Sequence, residues 1–574
     1  MQTAMSARRA MVTAAALLLA ACGGSGDTAG EAPGAKPRQA APEAADRTAE
    51  QTAEQTADRG PDFLRRAISA EPESLDPHLA RSVPATKVLG DLFEGLLTLG
   101  PDGSLQAGAA SGWESGDDGL TWTFHLREGL AWSNGDPLTA DDFVWSFRRL
   151  VDPATGAFYA SNLAPLAGAG AIMAGAAAPD TLGVEAPDAR TLVIRLAHPL
   201  GDLLHRLAHP STAPVHRPSV EQWGDDYPAP ERLVSNGPYR LVERIIGGHI
   251  GLEKNGFYRD PLSVPIERVR YYPLEDENAE YNRYRAGELD VTARVPAPVF
   301  ADVGIERAGE LRVAPYLGVY YVGFNLNEPP FADAPGLRKA LSLAIDRERL
   351  AEAVMGRGER PAWSWVPPNV QDYTPPSFRY AQAGAEARAE EARRLYREAG
   401  YGAERPLAFR LRYNTSDENR RIAAALQSMW RQVLGAEVEL VNQEFRVLIA
   451  ETRRGDVPGM FRGSWIADYD DAGNFLSVMA SGSSANQFGY ANPAYDSLVA
   501  AAMREQGAEE RASLFANAEK VLLADHPVLP LFFYVSKHLV HPRVRGWVDN
   551  PLDYHYSRYL RLREIEPEAP DSGG

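Results

Sequence analysis

Residues 407–469 constrain the fold more than any other stretch. Leu407–Tyr413 alternates apolar and polar side chains and reads as a strand. Asp417–Leu434 has helical spacing: Ile422, Leu426, Met429, Trp430 and Val433 share one face, and Gly435 can cap the end. Glu437–Val441 is a second strand, Phe445–Arg454 a second helix and Met460–Ala467 a third strand. This β-α-β-α-β order predicts a parallel, doubly wound sheet in an α/β protein. Ligands on such sheets bind beyond the carboxyl ends of the strands. Asp468 stands at such an end, beside Trp465, Tyr469 and Arg462. A carboxylate and an aromatic at the mouth of a cleft suit a cationic, extended ligand. The alternative is that Asp468 caps the next helix, Ala472–Met479. The pattern alone leaves both open.

A chain of 574 residues is too long for one core, so two or three domains are expected. Its net charge of −18, with no long basic run, argues against nucleic acid as a partner and favours neutral or cationic ligands. One cysteine, Cys22, excludes a disulfide framework. Arg8 and Arg9 precede the short apolar core Met11–Ala21, and Leu19-Ala20-Ala21-Cys22 resembles a bacterial lipoprotein processing box. That resemblance implies cleavage after residue 21 and lipid on Cys22, two or more acyl chains giving stable anchoring. An ordinary secretory leader is the alternative, and the residues after Arg8-Arg9 fit a twin-arginine signal poorly. No apolar segment is long enough to span a membrane. Residues 22–61 are rich in Ala, Glu, Gln, Thr and Pro and read as a disordered tether.

The folded body starts near Asp62 with the strand Phe63–Ile68. Leu120–Leu126 and Thr191–Leu196 alternate as half-buried strands, Trp132–Asp136 is a turn of Asn-Gly type, and Thr139 caps a helix that buries Val144, Phe147 and Leu150. Tyr281–Asp290 is a helix ended by Gly287. Leu311–Asn325 and Leu529–Val535 are long apolar strands and candidate crossings between domains. His198, His205, His209 and His216 lack a third ligand in any usual spacing and read as solvated or capping histidines, so no metal is expected there. No nucleophile elbow, His-Glu-x-x-His, phosphate loop or EF-hand spacing is present; neither catalysis nor a cofactor is expected.

Several dispersed segments carry a resemblance. They include Glu73-Ser74-Leu75-Asp76-Pro77-His78, Thr121–Arg127 running into Trp132–Pro137 and Thr139–Phe143, Ala340–Arg347, Tyr413–Asp417 and Trp465–Tyr469. Together they resemble the oligopeptide-binding family of ABC-importer substrate-binding proteins. The resemblance implies a two-lobed periplasmic-binding-protein fold (type II, Venus-flytrap) with an extra domain and the ligand enclosed between the lobes. By segment matching, domain I is discontinuous (62–93, 211–317 and 536–574), domain II spans 94–210 and domain III spans 318–535. Family members hold extended peptides by main-chain hydrogen bonds, and a buried carboxylate receives the free α-ammonium.

That aspartate matches Asp468. Tyr159 matches a tyrosine near the ligand and Val83 an edge segment that pairs with peptide backbone. Ser464 and Trp465 match the strand beside the aspartate, Arg462 an arginine of the cleft and Tyr534 a cleft tyrosine. Arg453 (or Arg454, given a one-residue length difference) matches a second arginine, and Phe445 stands at an aromatic platform position. Where the best-known binders place a lysine and a histidine for the peptide carboxylate, this chain has Met355 and Asn419, with Arg357 two residues from the first. The reading is a monomeric, lipid-anchored protein of the periplasm or cell envelope that delivers oligopeptides to an ABC permease. A murein peptide, a non-peptide ligand, and a peptide sensor or chaperone without transport are the alternatives.

Overall fold

The computed structural model describes residues 63–455, 457–483 and 485–563. The leader, Cys22 and the tether lie outside the described residues. The strands of the three larger sheets are β1 (Phe63–Ile68), β2 (Ala110–Ser115), β3 (Thr121–Leu126), β4 (Val184–Asp188), β5 (Thr191–Arg195), β6 (Tyr239–Ile245), β7 (His249–Lys254), β8 (Arg268–Pro273), β9 (Leu311–Phe324), β10 (Arg360–Pro361), β11 (Ala408–Asn414), β12 (Glu437–Gln443), β13 (Met460–Ile466) and β14 (Val528–Leu539). The helices that matter for the site are α1 (Val83–Leu92), α2 (Ala140–Val151), α3 (Leu203–Ala208), α4 (Asp417–Leu434), α5 (Phe445–Arg454), α6 (Ala472–Leu476) and α7 (Ala508–Asp525).

The sheets run β1-β8-β7-β6, β2-β3-β5-β4 and β10-β14-β9-β13-β11-β12. Within the third sheet β11 pairs in parallel with both β12 and β13, as the β-α-β-α-β order requires. The sheet as a whole is mixed, which corrects the expectation of a purely parallel one. β9 pairs antiparallel with β13 on one side and with β14 on the other. The free edge of β13 is thus closed by strands that arrive from elsewhere in the chain and need no helical crossover.

β9 and β14 are long because they serve two cores. Leu311 and Leu539 pack with Tyr272, Leu289 and Val303. Further along, Val319 and Tyr321 face one core of the third sheet, while Tyr320, Val322 and Phe324 face another, the period-2 alternation of a strand buried on both faces. The register shifts between Pro315 and Val319, where the pair passes from one core to the next.

Local signals hold where the chemistry is local. Thr139 and Asp142 form a capping box at the start of α2, and Phe143, Val144, Phe147 and Leu150 are buried. α4 buries Ile422, Leu426 and Trp430 and ends on Gly435 at φ 70°.

Candidate functional site

The site is built where β13 runs out. Trp465 and Ser464 lie opposite Val319 and Tyr320 in the β9–β13 register. Beyond the strand, Ala467 donates its amide to the Leu317 carbonyl (2.8 Å), which brings Asp468 to the rim of the sheet. Asp471, not Asp468, caps α6, accepting from the Gly473 amide at 2.6 Å. The capping alternative is therefore excluded, and Asp468 is left to turn elsewhere.

It turns toward the segment around residue 159. The Tyr159 hydroxyl donates to Asp468 Oδ1 at 3.1 Å, across 309 positions of sequence. Asn474, on α6, accepts from Trp465 Nε1 (3.0 Å) and from the Asp468 amide (3.4 Å), fixing indole and carboxylate together. Burial pushes the Asp468 carboxyl up to about 6, against the opposing pull of the Tyr159 and Asn474 hydrogen bonds. Among the described residues no cation forms an ion pair with it. Arg206, on α3, influences it only weakly because Asp202 claims it, bidentate at 3.0 and 2.9 Å. An acid in this state lacks a positive partner that a ligand can supply.

The remaining expected positions divide. Arg462 lies beneath the cleft, its guanidinium 4.8 Å from the Tyr320 ring centroid and donating to Asn414 Oδ1 at 3.2 Å. Tyr534 lies against Arg462 and Ser464. Val83 does not lie on a strand edge. It is the first residue of α1, because Ser82 accepts from the Ala85 amide and Pro84 favours a helical start; the residue is 46% exposed. Asn419 is buried, and its amide is committed: it accepts from the Tyr320 hydroxyl (2.9 Å) and donates to the Asn414 carbonyl (3.1 Å) and side chain (3.0 Å). It ties α4 to β9 and β11. Met355 is buried in an apolar core. The side chains of Phe445 and Arg453 lie outside the described residues.

A cavity of about 300 Å³ borders Tyr534, Tyr316, Arg357, Glu418 and Lys537. Tyr316 feels the charge of both Asp468 and Asp553, so the cavity lies within electrostatic reach of the carboxylate. Two of its cations are matched internally: Arg357 donates to Glu418, and Lys537 pairs with Glu359 at 2.8 Å.

Two contributors, His209 and Tyr469, were named in the sequence without these roles, and two more, Tyr316 and Asn474, were not. His209 is a helix cap, accepting from the Ser211 amide at 3.2 Å, yet it is buried with its ring 4.5 Å from that of Tyr159. Tyr316 and Asn474 gave no pattern at all. Tyr469 donates to Asp202 Oδ2 at 2.7 Å, a second bond between the two sides of the cleft.

The profile of the bacterial extracellular solute-binding proteins, family 5 Middle, matches residues 104–487. The chain belongs to this family. It is 39% identical over 506 residues to the periplasmic oligopeptide-binding protein OppA of Salmonella typhimurium, covering 87% of this chain and 92% of that one. It is 38% identical to the periplasmic murein peptide-binding protein MppA of Escherichia coli over 87% of this chain and 93% of the relative. The solved structure of Haemophilus influenzae OppA in complex with RPPGFSPFR superposes with a TM-score of 0.76 at 38% identity, over 87% of this chain and 99% of that one. The fold is the two-lobed α/β arrangement of these solute-binding proteins. Among the described residues no helix is long and apolar enough to cross a membrane.

Proposed function

We propose that the protein captures extended oligopeptides bearing a free amino terminus and presents them to an ABC importer. The observation that carries this is Asp468: recessed, hydrogen-bonded by Tyr159 from the opposite side of the cleft, and without a cationic partner among the described residues. A peptide ammonium supplies the missing charge, and main-chain hydrogen bonds hold the rest without reading sequence. Relatives named for oligopeptide and murein-peptide binding support a peptide ligand for the same cleft. The reading involves no chemical transformation of the peptide.

In this reading the lobes divide at 62–93, 211–317 and 536–574 (domain I), 94–210 (domain II) and 318–535 (domain III), with β9 and β14 as the two crossings. The protein works as a monomer, tethered at the cell envelope by lipid on Cys22. A Cys22→Ser protein that stays on membranes after a carbonate wash argues against the anchor.

Calorimetry on one peptide with a free and with an acetylated amino terminus tests the assignment. The free peptide is expected to bind more tightly, and Asp468→Asn to cost about 2–5 kcal/mol with the free peptide only. Equal affinities for the pair would falsify the role given to Asp468.

A further inference from the structure

Near the end of the chain stands a group of side chains to which the peptide reading assigns no role. His538 lies near the end of β14, and Asp553 and His555 follow in the loop beyond it. One ligand atom from each lies within 4.8 Å of the other two; His538 and Asp553 are buried, and His555 is 8% exposed. We propose that His538, Asp553 and His555 form a binding site for a divalent transition-metal ion of the zinc class.

Four observations carry this. First, the donor set is two imidazoles and one carboxylate, which suits zinc and its neighbours and not magnesium or calcium. Second, the ring of His538 is oriented for ligation. Its Nδ1 faces the Thr292 carbonyl at 2.7 Å, and a carbonyl can only accept, so Nδ1 carries hydrogen and Nε2 points at Asp553. Third, the carboxylate is shared out. Lys87 holds Oδ2 at 2.8 Å, while Oδ1 faces His538 Nε2 at 2.7 Å and His555 Nε2 at 3.2 Å. Metal sites recur with this outer support, one oxygen held by a second-shell donor and the other presented to the ion. Fourth, His538 and Asp553 line the 300 Å³ cavity, so a fourth coordination position has room for water.

The group is compact for a metal. Ligands about 2.0–2.1 Å from a tetrahedral ion stand roughly 3.3 Å apart, so His538 and Asp553 must part by about half an ångström. Asp553 sits in a loop at φ 57°, and His555 is held by stacking on Trp547 at 3.7 Å rather than by a strand, so the movement falls on the loop side. The ion takes the place of the hydrogen between Nε2 and Oδ1.

The test uses the untagged chain, treated with a chelator and then dialysed. Zinc is titrated against a chromophoric competitor, with magnesium as control, and cobalt(II) is added separately for its visible d–d absorption. The expected result is one zinc ion per chain, no magnesium binding, and a tetrahedral cobalt spectrum. His555→Asn is expected to weaken zinc by at least about tenfold, with circular dichroism and peptide binding reporting that it folds. His205→Asn, which alters a histidine outside the group, is expected to leave zinc binding unchanged. No zinc bound to the wild type, or zinc bound equally by a folded His555→Asn protein, overturns the assignment.

Discussion

The carboxyl of Asp468 is held near pH 6 by burial, and this sets a window in which its role can be watched. Unfolded, the group returns to its ordinary 3.8. Between those values the folded protein keeps a proton that the unfolded chain has lost, so this group's contribution to stability falls as pH rises through the window. A peptide ammonium needs the ionised form. Peptide affinity is therefore expected to weaken below about pH 6, approaching tenfold per unit, and Asp468→Asn is expected to flatten the profile. Calorimetry across pH 4.5–7.5, in the pH window about that value, checks both. The far cavity calls for a different outcome. Arg357 and Lys537 are already paired with Glu418 and Glu359, and Met355 is buried in a core. Amidating the peptide's carboxy terminus is thus expected to change affinity by less than about 1 kcal/mol in metal-free buffer, the scale of one ordinary net hydrogen bond. A loss of several kcal/mol would show that one of those cations is released to the ligand.

At the scale of elements, Glu519 of α7 shows how a buried acid can hold a loop. It accepts from the Trp365 amide (2.7 Å), the Val366 amide (2.9 Å) and the Tyr373 hydroxyl (2.6 Å). Burial raises its carboxyl to about 7, opposed by the Tyr373 bond. Glu519→Ala leaves two buried amides without an acceptor and is expected to cost about 2–5 kcal/mol in urea unfolding. Glu519→Gln keeps an acceptor oxygen and is expected to cost about 1 kcal/mol or less. The extents of α4 and α5 were legible in the sequence because caps, glycines and apolar spacing act within a few residues. The mixed order of the third sheet was not, because Val319 finds Phe533 and Trp465 across long stretches that no periodicity reports. The site divides the same way. Asp468 could be seen at a strand end, but only as one of two readings. Its bond to Tyr159 spans 309 positions and was approached only through resemblance. Asn419, matched to a ligand position by resemblance, also ties Tyr320 to Asn414, partners up to 99 positions away.

For the molecule as a whole, the two sides of the cleft meet directly. Tyr159 bonds Asp468, Tyr469 bonds Asp202, and the Gly201 amide donates to the Met503 carbonyl at 3.2 Å. These bonds join the two sides directly, and peptide is expected to favour closure through contacts with both. Peptide is expected to reduce the radius of gyration in solution X-ray scattering. Asp468→Ala is expected to blunt that change, and Tyr469→Phe to expand the ligand-free protein by removing one of the bonds. Identical curves for the wild type and Tyr469→Phe, each with and without peptide, would count against the clamp. The pairing of Arg357 with Glu418 and of Lys537 with Glu359 has a consequence for what the cell can gather. A receptor that read the beginning of a chain at Asp468 and kept these two cations for its own acids would be a ruler with a clear zero and a faint far end. Fragments of many lengths would then compete on nearly equal terms, and the menu would be written by whatever cuts the chains upstream.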